Sequence, residues 1–137
     1  MQTLHASCVA VDGRGLLILG PSGSGKSGLA LQLMALGAGL VADDQTEIRL
    51  EDAALIARCP APLRGLIEAR GIGLLNALPL ESAPLHLVVD LGQSETQRLP
   101  PKRHITLMNQ CLDLVLGQDG RHFPSALLQM LRFGRQA

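Results

Sequence analysis

The chain has 137 residues, enough for one domain with its own core. Basic and acidic residues balance at 12 each and aromatics make up only 1%, so neither a charged surface nor stacking side chains point to nucleic acid or acidic lipid. No apolar run approaches membrane-span length, and the N-terminus lacks the basic and apolar regions of a signal peptide.

With 47% apolar residues and only Phe123 and Phe133 as aromatics, the core must be aliphatic. Cys8, Cys59 and Cys111 are odd in number and far apart. They fit neither a disulfide framework nor a zinc site, and read as small buried hydrophobes in a reducing cytoplasm.

Residues 4–11 read as a strand, Asp12-Gly13-Arg14-Gly15 as a turn, and residues 16–19 as a second strand. The short Gly-containing connection predicts a hairpin. The second strand then has an antiparallel neighbour, which a simple all-parallel nucleotide-kinase sheet lacks.

That strand runs into Gly20-Pro21-Ser22-Gly23-Ser24-Gly25-Lys26-Ser27, which fits G-x-x-x-x-G-K-[ST] at every fixed position. A helical pattern over residues 26–36 follows, ending at Gly37 and Gly39. Strand, glycine loop and helix are the setting a phosphate-binding loop requires. The glycines bring backbone N–H groups against phosphate oxygens, and the helix start adds its positive dipole end. Lys26 then reaches the β- and γ-phosphates, and Ser27 offers a hydroxyl to Mg²⁺. The chain contains only one other lysine, Lys102, so Lys26 is not surface filler. The expected ligand is ATP or pyrophosphate.

Residues 39–42, 46–50 and 53–58 read as short strands. Pro60 and Pro62 break the pattern, and residues 63–69 suggest a short helical turn. Gly71 and Gly73 flank a tight segment over residues 71–75. Residues 85–90 form a buried strand, residues 92–101 a polar loop, and residues 105–107 and 111–116 short strands. Residues 123–133 have helical spacing, with Pro124 near the first position.

Phosphoryl transfer also needs a metal carboxylate and a group that activates the acceptor. The candidates are the pair Asp43-Asp44 after a strand, Glu68, and Asp90 at the end of an apolar run. Adjacent acids on a continuing strand point in opposite directions. His5 sits on the first strand, where a lone histidine is ordinarily a core residue. Arg98, Lys102 and Arg103 cluster around Pro100-Pro101, by default as a solvated loop.

Together these pieces resemble the HPr kinase/phosphorylase family, bacterial enzymes acting on a serine of the phosphocarrier protein HPr. The resemblance rests on Leu4-His5-Ala6, the loop from Gly20 to Ser27, Val41-Ala42-Asp43-Asp44, and Glu68-Ala69-Arg70-Gly71-Ile72-Gly73-Leu74-Leu75-Asn76. It implies an α/β fold with a mixed sheet around the phosphate-loop helix, shared with phosphoenolpyruvate carboxykinases. It implies ATP and Mg²⁺ as cofactors and HPr or a related carrier as partner. A cytoplasmic homo-oligomer is expected.

The resemblance also assigns roles. His5 matches the family's active-site histidine and Lys26 its phosphate-loop lysine. Ser27 and Glu68 match the magnesium ligands. Asp44 matches the carboxylate that takes the serine proton, and in the reverse direction activates phosphate. Asp43 and Arg70 accompany these matches, and Asp90 falls outside them. Longer members carry an N-terminal domain, so a single catalytic domain over residues 1–137 is expected, as in the short bacterial form. Gly28 stands where the family commonly has Glu. Pro100-Pro101-Lys102-Arg103 is a loose counterpart of the family's arginine-containing active-site loop.

Two other functions suit the same loop. A small-metabolite kinase needs an arginine-rich lid, for which the chain offers only residues 98–103. A nucleotide-binding regulatory module needs no transfer residues, yet Lys26, Asp44 and Glu68 are present.

Overall fold

A computed structural model describes residues 1–137. The order of elements is β1 (Gln2–Leu4), β2 (Ser7–Val11), β3 (Arg14–Leu19), α1 (Lys26–Ala35), β4 (Gly39–Ala42), β5 (Thr46–Glu51) and β6 (Ala54–Arg58). A 3₁₀ turn at Ala61–Leu63 precedes β7 (Leu66–Ala69), β8 (Gly73–Asn76), β9 (Ala83–Ser94), β10 (Arg103–Leu107), β11 (Gln110–Gly117) and α2 (Phe123–Phe133).

One mixed sheet runs β1-β5-β6-β9-β3-β2-β4, and β11 joins it through β9, with β10 beside β11. The expected hairpin is present: β2 and β3 pair antiparallel, with Ser7 opposite Ile18 and Val11 opposite Arg14. Asp12 and Gly13 both have positive φ, 52° and 72°, as a two-residue primed turn demands. β3 also pairs parallel with β9, and β9 pairs parallel with β11. β9 is the hub of the sheet: Ala83 and Pro84 pair with β6, and the residues that follow pair with β3 and β11.

Alternation along these strands feeds two cores. Val9, Val11, Leu16, Ile18, Leu87 and Val89 pack with Leu29 and Leu33 of α1 and Leu127 and Leu131 of α2. Cys8, Ala10, Leu17 and Val88 pack on the other face with Ile48 and Leu55. Both faces are covered, so the central strands read as continuous apolar runs rather than alternating ones.

Three expectations are corrected. Residues 4–11 are not one strand: β1 pairs with β5, β2 pairs with β3 and β4, and the chain bends at His5 between them. Residues 66–69 are not helical; they pair antiparallel with β8, Glu68 opposite Leu74, because the prolines confine the helical turn to Ala61–Leu63. The polar loop begins later, since β9 continues through Ser94. No helix is long and apolar enough to cross a membrane.

Candidate functional site

The loop between β3 and α1 opens at Gly20, whose φ is +153°. A Cβ there would run into the Ser24 Oγ, and that oxygen is buried without a hydrogen-bond partner. Gly25 caps α1 in the left-handed region, φ 97° and ψ 20°, which favours glycine. It supplies no capping side chain, and no acidic residue lies in the first turn. The N–H groups of that turn therefore stay available to an anion, reinforced by the helix dipole. The Lys26 side chain folds back over the loop and donates to the carbonyl oxygens of Gly20 (2.8 Å) and Pro21 (3.1 Å). It is only 7% exposed.

Behind the loop lies Asp43, 6% exposed at the end of β4. Its Oδ1 accepts the hydroxyls of Ser27 (2.6 Å) and Ser7 (2.7 Å), and its Oδ2 accepts the Glu68 backbone N–H (3.0 Å). One buried carboxylate thus ties α1, β2 and β7 together. Its charge has no cationic partner within ion-pair distance and is offset by hydrogen bonds.

Asp44 turns the other way because the strand stops at Ala42 and Asp44 takes φ 68°. Its carboxylate is exposed and lies 3.4 Å from His5 Nδ1. Two backbone hydrogen bonds hold this turn beside the His5 bend: Ala6 N–H donates to the Asp44 carbonyl, and Gln45 N–H to that of Asp43. Cys59 lies near the same turn; burial raises its thiol pKa, with a backbone hydrogen bond at Asp43 acting the other way.

These pieces face one cavity of about 420 Å³, lined by His5, Ser22, Gly23, Gly25, Lys26, Ser27, Asp44, Glu68 and Arg70, with Gly28, Leu31, Ala69 and Ile72. Its volume lies in the range of small-molecule sites, roughly 300–1,000 Å³. Gly23 and Gly25 have open space where a Cβ would stand, leaving the backbone accessible. Open glycine backbone, an uncapped helix start and Lys26 give this cradle the chemistry of an anion site. No three His, Cys, Asp or Glu residues gather as a metal cage. Ser27 and Glu68 suit the sparse protein coordination of Mg²⁺, which shares its shell with phosphate and water.

Arg103 does not line this cavity. Its guanidinium grips Glu95 through two 3.0 Å hydrogen bonds and holds that carboxyl below its usual range. Asp90 is also elsewhere, accepting Gly92 N–H and the Gln93 side-chain amide at 2.8 Å each. Sequence reasoning passed over Ser7, a fully buried hydroxyl. Its signal was a polar residue inside the apolar run from Ala6 to Val11.

The family model described as HPr Serine kinase C-terminal domain matches residues 1–102. The chain belongs to this family. It is 45% identical over 114 residues to the HPr kinase/phosphorylase of Aromatoleum aromaticum, covering 74% of this chain and 36% of that one. The HPr kinase/phosphorylase of Leptothrix cholodnii is 43% identical over 109 residues, covering 70% and 34%. The chain thus spans about a third of the length of these curated relatives. The solved Hpr(Ser) kinase/phosphatase from Coxiella burnetii superposes with a TM-score of 0.81 at 25% identity, covering 96% of this chain and 95% of that one.

Proposed function

We propose that this domain is an ATP-dependent protein-serine kinase acting on HPr or a related small phosphocarrier. The observation that carries the reading is the single cavity shared by the glycine loop, Lys26, Ser27, Glu68 and Asp44. Bound ATP supplies the phosphoryl group, and Mg²⁺ offsets the charge on its oxygens. The N–H groups of the loop and Lys26 hold phosphate oxygens, Lys26 exchanging its carbonyl partners for them. Ser27 and Glu68 are the metal ligands. Because the Ser27 hydrogen is directed at Asp43, its lone pairs are left for the metal. Asp44 orients the acceptor serine and takes its proton, and His5 steadies the Asp44 carboxylate. Arg70 lines the rim as an acceptor contact. Arg103, engaged by Glu95, has no part in this reading.

The test is transfer of label from γ-labelled ATP to purified HPr with Mg²⁺. The label should appear on serine, and Lys26→Ala should lower turnover by roughly 10²–10³. A chain that binds MgATP but leaves HPr unlabelled is a nucleotide-binding module instead.

A further inference from the structure

We propose that Ser7 is a positioning residue of this site, holding both neighbouring acids through one hydroxyl. The proposal rests on the kinase reading above. Every residue of β2 is buried, and Ser7 is its only polar one. A core strand is more cheaply filled by Ala, Val or Cys, the residues that follow in β2.

The Ser7 position is set by alternation. Ser7, Val9 and Val11 share one face of β2, and the two valines pack with Leu29, Ala30 and Leu33 of α1. The hydroxyl therefore lies on the sheet face beneath α1, toward the end that carries Lys26 and Ser27. There it donates to Asp43 Oδ1 at 2.7 Å. Its lone pair accepts the Asp44 N–H at a longer 3.4 Å. A hydroxyl can do both at once, having one hydrogen and two lone pairs.

The two contacts have separate consequences. The first fixes the carboxylate that orients Ser27 and receives Glu68 N–H. The second helps fix the left-handed Asp44 backbone, φ 68°. Without the hydroxyl, Asp43 is held only by Ser27 and the Glu68 N–H, one donor at each oxygen, and the Asp44 N–H loses its acceptor. The metal-binding edge and the proton-accepting edge of the site would loosen together.

The experiment compares Ser7→Ala and Ser7→Cys in the full chain. Ala removes the hydroxyl, while Cys keeps a filled site with only a weak donor. Losing such a supporting hydrogen bond should raise the half-saturating Mg²⁺ concentration and lower kcat by about tenfold each, with the KM for ATP little changed. In nucleotide-free protein, the Asp44 and Glu68 amides should exchange hydrogen faster in both variants. A Cys variant with wild-type exchange and wild-type Mg²⁺ dependence would show that Ser7 serves packing alone and overturn the proposal, even if Ser7→Ala fails to fold. If the wild-type chain does not label HPr, the kinase reading fails. Amide exchange and Mg²⁺-dependent binding of a fluorescent ATP analogue then still decide the role of Ser7.

Discussion

The Ser27 hydroxyl donates to Asp43 Oδ1 at 2.6 Å, and that bond sets which way the Ser27 lone pairs point. The same oxygen accepts the Ser7 hydroxyl, and its partner oxygen accepts Glu68 N–H. Asp43 is therefore the hub on which the loop helix, the first hairpin and the β7 strand are aligned.

Asp43→Asn tests the hub directly. An amide in place of the carboxylate has one acceptor and one donor end. With its NH₂ toward β7, it faces the Glu68 N–H donor to donor. With its NH₂ toward the serines, both hydroxyls must reverse, and Ser27 turns its lone pairs inward. Either arrangement costs about 1–3 kcal/mol. The spacing of the two acids alone suggests a mild effect at Asp43 and a large one at Asp44. The burial of Asp43 replaces that expectation with a stability loss. Urea unfolding should show a lower midpoint at unchanged slope. An unchanged midpoint would remove Asp43 from this role.

The proposed assignment of Glu68 as metal carboxylate is tested by a pair of substitutions. Glu68→Gln keeps the volume and removes the charge, so the half-saturating Mg²⁺ concentration for turnover should rise by roughly tenfold or more. Asp90→Asn should leave that concentration alone, because Asp90 lies outside the cavity and its carboxylate is held within β9 by Gly92 N–H and the Gln93 amide. The reverse pattern would place the metal at Asp90, within β9.

Cys8 predicts an alkaline limit to stability. Burial pushes its thiol from the ordinary 9.0 up to about 12. The folded chain thus keeps a proton that the unfolded chain releases above pH 9. Unfolding becomes easier as pH rises from 9 towards 12, and the contribution is intact below pH 9. Cys8→Ala should flatten the fall in melting temperature across that window, at some packing cost at neutral pH. In native protein the exposed Cys111 should react with a thiol reagent well before Cys8. A pH profile unchanged by Cys8→Ala would rule out the thiol as the cause.

The hairpin, the glycine loop, α1 and α2 were legible because each carries local chemistry: an Asp-Gly turn, a fixed glycine spacing, a Pro near a helix start. The identity of β7 was not, because four residues with one charge fit a helical turn as well as a strand. Its pairing with β8 decided the matter. The break at His5 was invisible for a similar reason. Nothing in residues 2–11 says that the first segment pairs with β5 and the second with β3. In the site, Lys26 stood out from the glycine-loop spacing, whereas Asp44 and Glu68 stood out only through the resemblance of their segments to the family. The network through Ser7 and Asp43 was not, since it joins residues 36 positions apart.

Asp44 gives the sharpest test of chemistry against binding. Its φ of 68° lies where Asn is tolerated and most residues are strained. Asp44→Asn therefore keeps the backbone while removing the proposed proton acceptor. Transfer to HPr should fall by about 10²–10⁴, the range for losing a positioned general base. MgATP affinity should change little, because on the proposed reading the loop and Lys26, not Asp44, hold the phosphates. Asp44→Ala adds backbone strain on the order of 1 kcal/mol, so it should also melt earlier. Measuring both variants for transfer, MgATP affinity and melting temperature separates the effects. Equal losses of transfer and affinity in Asp44→Asn would make Asp44 a nucleotide contact. Undiminished transfer would leave proton acceptance to another group, with His5, 3.4 Å away, the next to test.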